Sequence, residues 1–231
     1  MTLQAPETVI QELPQFKLSG KALFLISGGI DSPVAAWLLI RKGVQPVFAY
    51  FDNYPLCDQA AEGIALETVR KVCAETKVQD MRIYIVPHSP DLHEILSRCP
   101  TKYACILSRR MMFRIAEQIA IRENCGSIVT GDAIGQKASQ TLQNIVAADC
   151  VLNQVGVLRP LVGMNKLLIE RFAKRIGTYA ISIRPGVSSC GVPTDNPSTS
   201  AKRNRLDEVE SSLDVEAMVR RAIENARIAT A

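Results

Sequence analysis

Short apolar runs alternate along the chain with longer stretches in which apolar residues recur every three or four positions. Residues 21–26 (Lys-Ala-Leu-Phe-Leu-Ile) form the first run and read as a strand buried on both faces. Across 31–42, Val34, Ala35, Leu38 and Leu39 fall at helical spacing, and Gly43 supplies a stop. The same reading gives strands at 44–51, 81–86, 127–130 and 155–158, and helices at 59–76, 92–98, 104–123, 138–148 and 166–176. Residues 180–183 read as a last strand, 184–200 as a loop rich in proline and glycine, and 206–228 as a closing helix. Strands alternating with helices predict an α/β, doubly wound fold: a mostly parallel sheet with helices on both faces. The expected organisation is a leader or linker at 1–20, one domain at 21–205 and a C-terminal helical extension at 206–231.

Composition narrows the class. A chain of 231 residues suffices for one substantial core, and 47% hydrophobic with 22% charged residues is a globular balance. The net charge of +4 is compatible with a polyanionic partner without demanding one. The longest apolar run, 34–40, is far below a membrane span, and the leader lacks the apolar core of a signal peptide. The seven cysteines are scattered, so free thiols in a reducing cytoplasm are expected, with no membrane partner.

Candidate chemistry sits beyond the first strand, in Ser27-Gly28-Gly29-Ile30-Asp31-Ser32. In open α/β sheets ligands bind past the carboxyl ends of strands. Two adjacent glycines let the backbone approach a phosphate, the opening helix adds about half a positive charge, and both serines offer hydroxyls. Asp31 is badly placed for a bare anion, which points to a Mg²⁺ shared with phosphates. Neither G-x-x-x-x-G-K-[ST] nor G-x-G-x-x-G occurs.

S-G-G-x-D-S resembles the signature of PP-loop ATP pyrophosphatases, which cleave ATP between its α- and β-phosphates. Further stretches resemble one branch: Arg109–Ala116, Thr130–Leu142, Leu158–Lys166, Ile176–Tyr179, Cys190-Gly191-Val192 and Pro197-Ser198-Thr199. Together they are similar to the catalytic domain of the tRNA 4-thiouridine synthetase (tRNA sulfurtransferase, ThiI-like) family over about 21–205. The resemblance implies an enzyme that adenylates the C4 oxygen of a tRNA uridine and replaces it with sulfur. A carbonyl oxygen leaves poorly but leaves well as an AMP ester, and a persulfide is a competent soft nucleophile.

Carried onto this sequence, the resemblance assigns the phosphate site to Ser27, Gly28, Gly29, Asp31 and Ser32. It sets Leu25 and Ile26 against the adenosine and Tyr50 and Phe51 beside the base. Arg109 stands where the family usually has lysine; arginine keeps the charge and adds a bidentate fork. Gly131 and Gln140 complete the ATP pocket, and Gln136 and Ser139 line it or face the target uridine. Asp31 and Cys190 are the implied catalytic residues, Cys190 as the sulfur-carrying thiol.

Three departures qualify the match. The chain has a 20-residue leader where full-length members carry an RNA-binding region with a THUMP domain, and no rhodanese segment. The implied partners are therefore tRNA, a sulfur donor (a persulfide carrier or sulfide), a separate RNA-binding subunit and, as an open arrangement, a second copy in a homodimer. No C-x-x-C occurs, so the remaining route to an iron–sulfur cluster is a three-thiolate site from Cys99, Cys105 and Cys190. Lys202, Arg203 and Arg205 are candidates for the RNA backbone, His88 and His93 read as surface or capping residues, and Met111-Met112-Phe113 as core. Two alternatives stay open: an adenylating enzyme of this fold acting on a different tRNA base or a small sulfur acceptor, and a non-catalytic ATP- or RNA-binding subunit.

Overall fold

In the computed structural model, which describes residues 20–135, 140–184 and 196–230, the first apolar run is the central strand β1 (Lys21–Ile26). It pairs in parallel with β2 (Gln45–Asp52) on one side and β4 (Ser127–Val129) on the other. β3 (Arg82–Pro87) extends the sheet beyond β2, and β5 (Gly156–Leu158) extends it beyond β4, both in parallel. β6 (Arg227–Thr230) closes the β3 edge in the antiparallel sense, giving the order β5-β4-β1-β2-β3-β6. β2 and β4 flank β1, so the direction of sheet growth reverses between β1 and β4. The crevice past their C-terminal ends is the topological switch point where such sheets hold ligands.

The helices are α1 (Asp31–Ile40), α2 (Ala60–Thr76), α3 (Ser89–Arg98), α4 (Ala104–Arg122), α5 (Leu142–Asp149), α6 (Lys166–Ile176), α7 (Tyr179–Ser182), α8 (Arg203–Glu210) and α9 (Val215–Glu224). Strand alternation divides the core. Ala22, Phe24 and Ile26 face α1, α2 and α6, while Leu23, Val47, Ala49 and Tyr84 face α4, α8 and α9. α1 is buried from Ser32 to Ile40, which is why its sequence is apolar nearly all round. Trp37 of α1 meets Phe172 of α6 at 5.7 Å between ring centroids.

Three expectations are corrected. Residues 180–183 are not a strand: α7 is one turn of helix after the left-handed Gly177 (φ +82°), closed by the Ser182 N–H on the Thr178 carbonyl at 3.0 Å. A run as short as Ala-Ile-Ser-Ile fits either period, and the preceding helix stop decides the local path. Residues 206–228 are not one helix. The chain breaks at Ser211–Leu213, restarts where the Asp214 side chain accepts the Ala217 N–H at 3.0 Å, and ends as β6. The helix expected at 138–148 begins, among the described residues, at Leu142, with the Thr141 hydroxyl accepting the Asn144 N–H.

Candidate active site

Ser27–Ser32 turns from the end of β1 into the first turn of α1, and its two serines hold it in shape. The Ser27 N–H donates to Ser32 Oγ at 2.9 Å, the two hydroxyls are 3.2 Å apart, and the Gly29 N–H donates to Ser27 Oγ at 3.3 Å. Asp31, in the first turn of α1, pairs with Lys166 Nζ at 2.5 Å. Lys166 opens α6, whose Asn165 side chain caps the helix by accepting the Leu168 N–H at 2.9 Å.

The facing wall follows β4. Gly131 lies against the start of α1 so closely that an added Cβ would sit 2.5 Å from the Ser32 nitrogen. Next to it the buried Asp132 gathers Thr130 Oγ1 at 2.7 Å, Arg159 Nε at 3.1 Å, Arg109 and, at 3.5 Å, Gln140 Nε2. Burial pushes the Asp132 carboxyl up, but Arg109, Thr130 and Arg159 outweigh it and hold the group below the usual carboxylate range. Arg159 also forks onto Asp149 at 2.5 and 2.8 Å, tying the end of β5 to α5.

Between the walls lies a cavity of about 260 Å³. Of the residues named from sequence for ATP, Leu25, Ile26, Ser27, Gly29, Asp31, Ser32, Tyr50, Phe51, Arg109, Gly131 and Gln140 all line it; Gly28 is buried beneath the turn. Gln140 Oε1 and Arg109 Nε are buried in its wall with no hydrogen-bond partner among the described residues. Such atoms are costly to leave unpaired, so a polar ligand fits here. Tyr50 is a neutral phenol, pushed up first by burial and then by the Cys57 and Asp52 charges.

Lys166, Asp132, Arg159 and Ser108 were not singled out from sequence. The first three lie inside stretches that carry the family resemblance, but only the fold shows what they touch. His88 is not a surface residue: it stands at the N-cap of α3 but is fully buried, with no side-chain cap bond and Nε2 2.9 Å from Ser108 Oγ, whereas His93 is exposed as expected. Met111 and Phe113 are core as expected, and Met112 reaches the cavity.

Cys190, Gln136 and Ser139 lie outside the described residues. Cys99 and Cys105, weighed as two thiolates of a cluster, have separate surroundings. The Cys99 thiol sits 3.8 Å from the Val209 carbonyl and Ser212 Oγ, whereas Cys105 lines the cavity. No group of three metal-ligating side chains is gathered among the described residues. Of the basic trio, Arg203 pairs with Asp207 at 3.5 Å and Arg205 with Glu208 at 2.5 Å, which offsets two of the three positive charges. No described helix is long and apolar enough to cross a membrane.

Residues 17–215 match the family model described as Thiamine biosynthesis protein (ThiI). The chain belongs to the ThiI family. Among its curated relatives are proteins named "Probable tRNA sulfurtransferase". The one from Acetivibrio thermocellus is 39% identical over 213 residues, covering 92% of this chain and 54% of that protein. The one from Methanosarcina mazei is 36% identical over 209 residues, covering 90% and 51%. The chain thus spans about half the length of the curated relatives it matches. Among solved structures, a 4-thiouridine synthetase–RNA complex with bound ATP superposes with a TM-score of 0.86 at 36% identity, covering 91% of this chain and 55% of that one. An NMN synthetase from Francisella tularensis shares the fold at a TM-score of 0.57 and 16% identity, covering 96% and 92%.

Proposed function

We propose that this chain is the catalytic domain of an ATP-dependent tRNA sulfurtransferase, which adenylates the C4 oxygen of a tRNA uridine and exchanges it for sulfur to give 4-thiouridine. The observation that carries the reading is the preformed Ser27–Ser32 turn opening, at the sheet's switch point, into a cavity with an apolar end and a charged end. ThiI-family membership, relatives named tRNA sulfurtransferase and a similar structure titled as holding RNA and ATP support it.

On this reading Leu25, Ile26, Tyr50 and Phe51 hold the adenosine. The phosphates lie along Gly28, Gly29 and Ser32 at the start of α1, where the helix dipole favours negative charge. Gln140 Oε1 and Arg109 Nε are the buried atoms a nucleotide would satisfy. Mg²⁺, held by Asp31 and the phosphates, would neutralise charge building on the departing pyrophosphate. Lys166, beside Asp31, adds a positive charge at the same point, and Asp132 aims Arg109 and Arg159. The uridine O4 attacks the α-phosphorus and pyrophosphate leaves. A sulfur nucleophile, sulfide or a persulfide carried on Cys190, then adds at C4 and AMP departs with the oxygen; a persulfide route ends when a second thiol cleaves the S–S bond. Gln136 and Ser139 are assigned to the uridine side. tRNA and a sulfur donor are the proposed partners, with RNA held by a further domain or a separate subunit.

The test follows radiolabelled ATP with the chain in its natural full-length form. AMP and pyrophosphate should appear only when tRNA is supplied. Release of AMP with small acceptors and without tRNA would assign the site to a different substrate. ATP binding without AMP formation on any acceptor would mark a non-catalytic subunit.

A further inference from the structure

Behind the cavity wall stands a buried relay that adenylation does not use. Ser108, one residue before Arg109 on α4, lines the cavity. Its hydroxyl is 2.9 Å from His88 Nε2, and His88 Nδ1 is 3.3 Å from Asp91 Oδ2. The other Asp91 oxygen accepts from Arg221 of α9 at 2.7 Å. His88 and Asp91 are 0% and 1% exposed and Ser108 is 6% exposed, so water does not compete for these bonds. The His88 ring is further fixed edge-on to Phe51, itself a cavity residue, at 5.5 Å between centroids and 79°.

The order of partners sets a polarity. A carboxylate already paired with Arg221 only accepts, so the ring nitrogen facing it carries the proton. In that tautomer Nε2 is an acceptor, and the Ser108 hydroxyl spends its one hydrogen on it. What Ser108 has left for the cavity is a lone pair. We propose that Ser108 is a specificity-determining residue that reads the 6-amino group of adenine, and that His88 and Asp91 are positioning residues that keep its oxygen an acceptor. This rests on the reading that the cavity takes ATP. A 6-oxo purine would set one acceptor against another in a dry site, and sites built around a hydrogen bond reject such ligands strongly. A hydrolytic nucleophile shares the Ser–His–Asp order, but Ser108 sits in the second turn of α4, where the backbone N–H groups are spent on the helix and none forms an oxyanion hole.

The experiment measures binding of ATP, purine riboside triphosphate (no 6-substituent) and inosine triphosphate (6-oxo) to the whole chain by calorimetry. Wild type should prefer ATP to purine riboside triphosphate by about tenfold, the value of one buried hydrogen bond, and to inosine triphosphate by more. Ser108→Ala should bring ATP and purine riboside triphosphate within about twofold of each other, a change of ratio that a merely structural loss would not produce. His88→Phe should free the hydroxyl to donate and so narrow the gap between ATP and inosine triphosphate. In wild type, ¹⁵N spectra should show the Nδ1–H form of His88; if His88→Phe fails to fold, this and Ser108→Ala decide. Equal wild-type affinity for ATP and purine riboside triphosphate overturns the inference, as does Ser108→Ala weakening all three alike, or Ser108 labelling by a fluorophosphonate. A chain that binds none of the three overturns the ATP reading itself, and this inference with it.

Discussion

Gly131, just past β4, and Ser32, at the start of α1, touch backbone to backbone: a Cβ at position 131 would lie 2.5 Å from the Ser32 nitrogen and 2.7 Å from its Cα. Neither side can yield by rotating a side chain, so the contact fixes the width of the cavity at the phosphate turn. Gly131→Ala should push the turn off its position, weakening ATP by at least about tenfold and costing about 1–3 kcal/mol of stability. Calorimetry and urea unfolding on one preparation check this. Gly63 and Gly156, beside which an added Cβ meets nothing within 4 Å, serve as controls.

Asp31 and Lys166 meet 2.5 Å apart from different helices, and both are partly solvent-exposed, so their pairing contributes little to folding. Their effect should fall on chemistry. Asp31→Ala and Lys166→Met should each lower the rate of pyrophosphate release about 10²–10³-fold while the melting temperature shifts little.

Asp132 contrasts with that pair. It is buried and paired with two arginines, Arg109 and Arg159, which are themselves nearly buried. Removing it as Asp132→Ala should cost about 3–5 kcal/mol, because two guanidinium groups lose their shared partner. Asp132→Asn should recover part of the loss, and a denaturant series on the three proteins ranks them.

This contrast shows what was legible in the sequence. Ser27–Ser32 is a contiguous motif whose residue types serve the same purpose wherever it occurs, and its place after an apolar strand set the fold class and the binding crevice together. Asp132, Arg159 and Lys166 stand far apart in sequence, and nothing local marks one lysine or aspartate as facing another. His88 is the helix boundary that its place beside Ser89 and Pro90 suggests, but its burial was not legible, because Ser108, which it meets from another helix, is supplied by tertiary packing. The closing segment misled differently. Its helical period hides the break before Asp214, and β6 is short and mostly exposed, so its strand identity comes from pairing with β3.

Glu123 anchors the opposite end of the sheet. It accepts from Lys21 at 2.7 Å, Arg82 at 2.9 Å and the Tyr84 hydroxyl at 2.6 Å. Burial pushes its carboxyl up, but these three partners bring it down to about 2, against an ordinary value of 4.5. A carboxyl lowered in the folded state stabilises the fold above about pH 4.5, and that contribution is lost as the pH falls toward 2. Glu123→Gln should therefore lose about 1–3 kcal/mol at neutral pH and show a flatter acid limb. Unfolding free energies taken from pH 7 to pH 2 check both.

Cys190, by resemblance the sulfur-carrying thiol, should separate the two half-reactions. Cys190→Ser is expected to leave pyrophosphate release unchanged and to abolish thiolation from a persulfide donor. Full thiolation by that variant would remove Cys190 from the mechanism.

The central claim is tested most directly by nucleoside analysis of tRNA after incubation with this protein, ATP, Mg²⁺ and sulfide. The account predicts 4-thiouridine with wild type, formed about 10²–10³-fold more slowly with Asp31→Ala, and AMP alongside the product. A wild-type protein that binds ATP and tRNA yet leaves every uridine unthiolated, or that yields ADP in place of AMP, would contradict it.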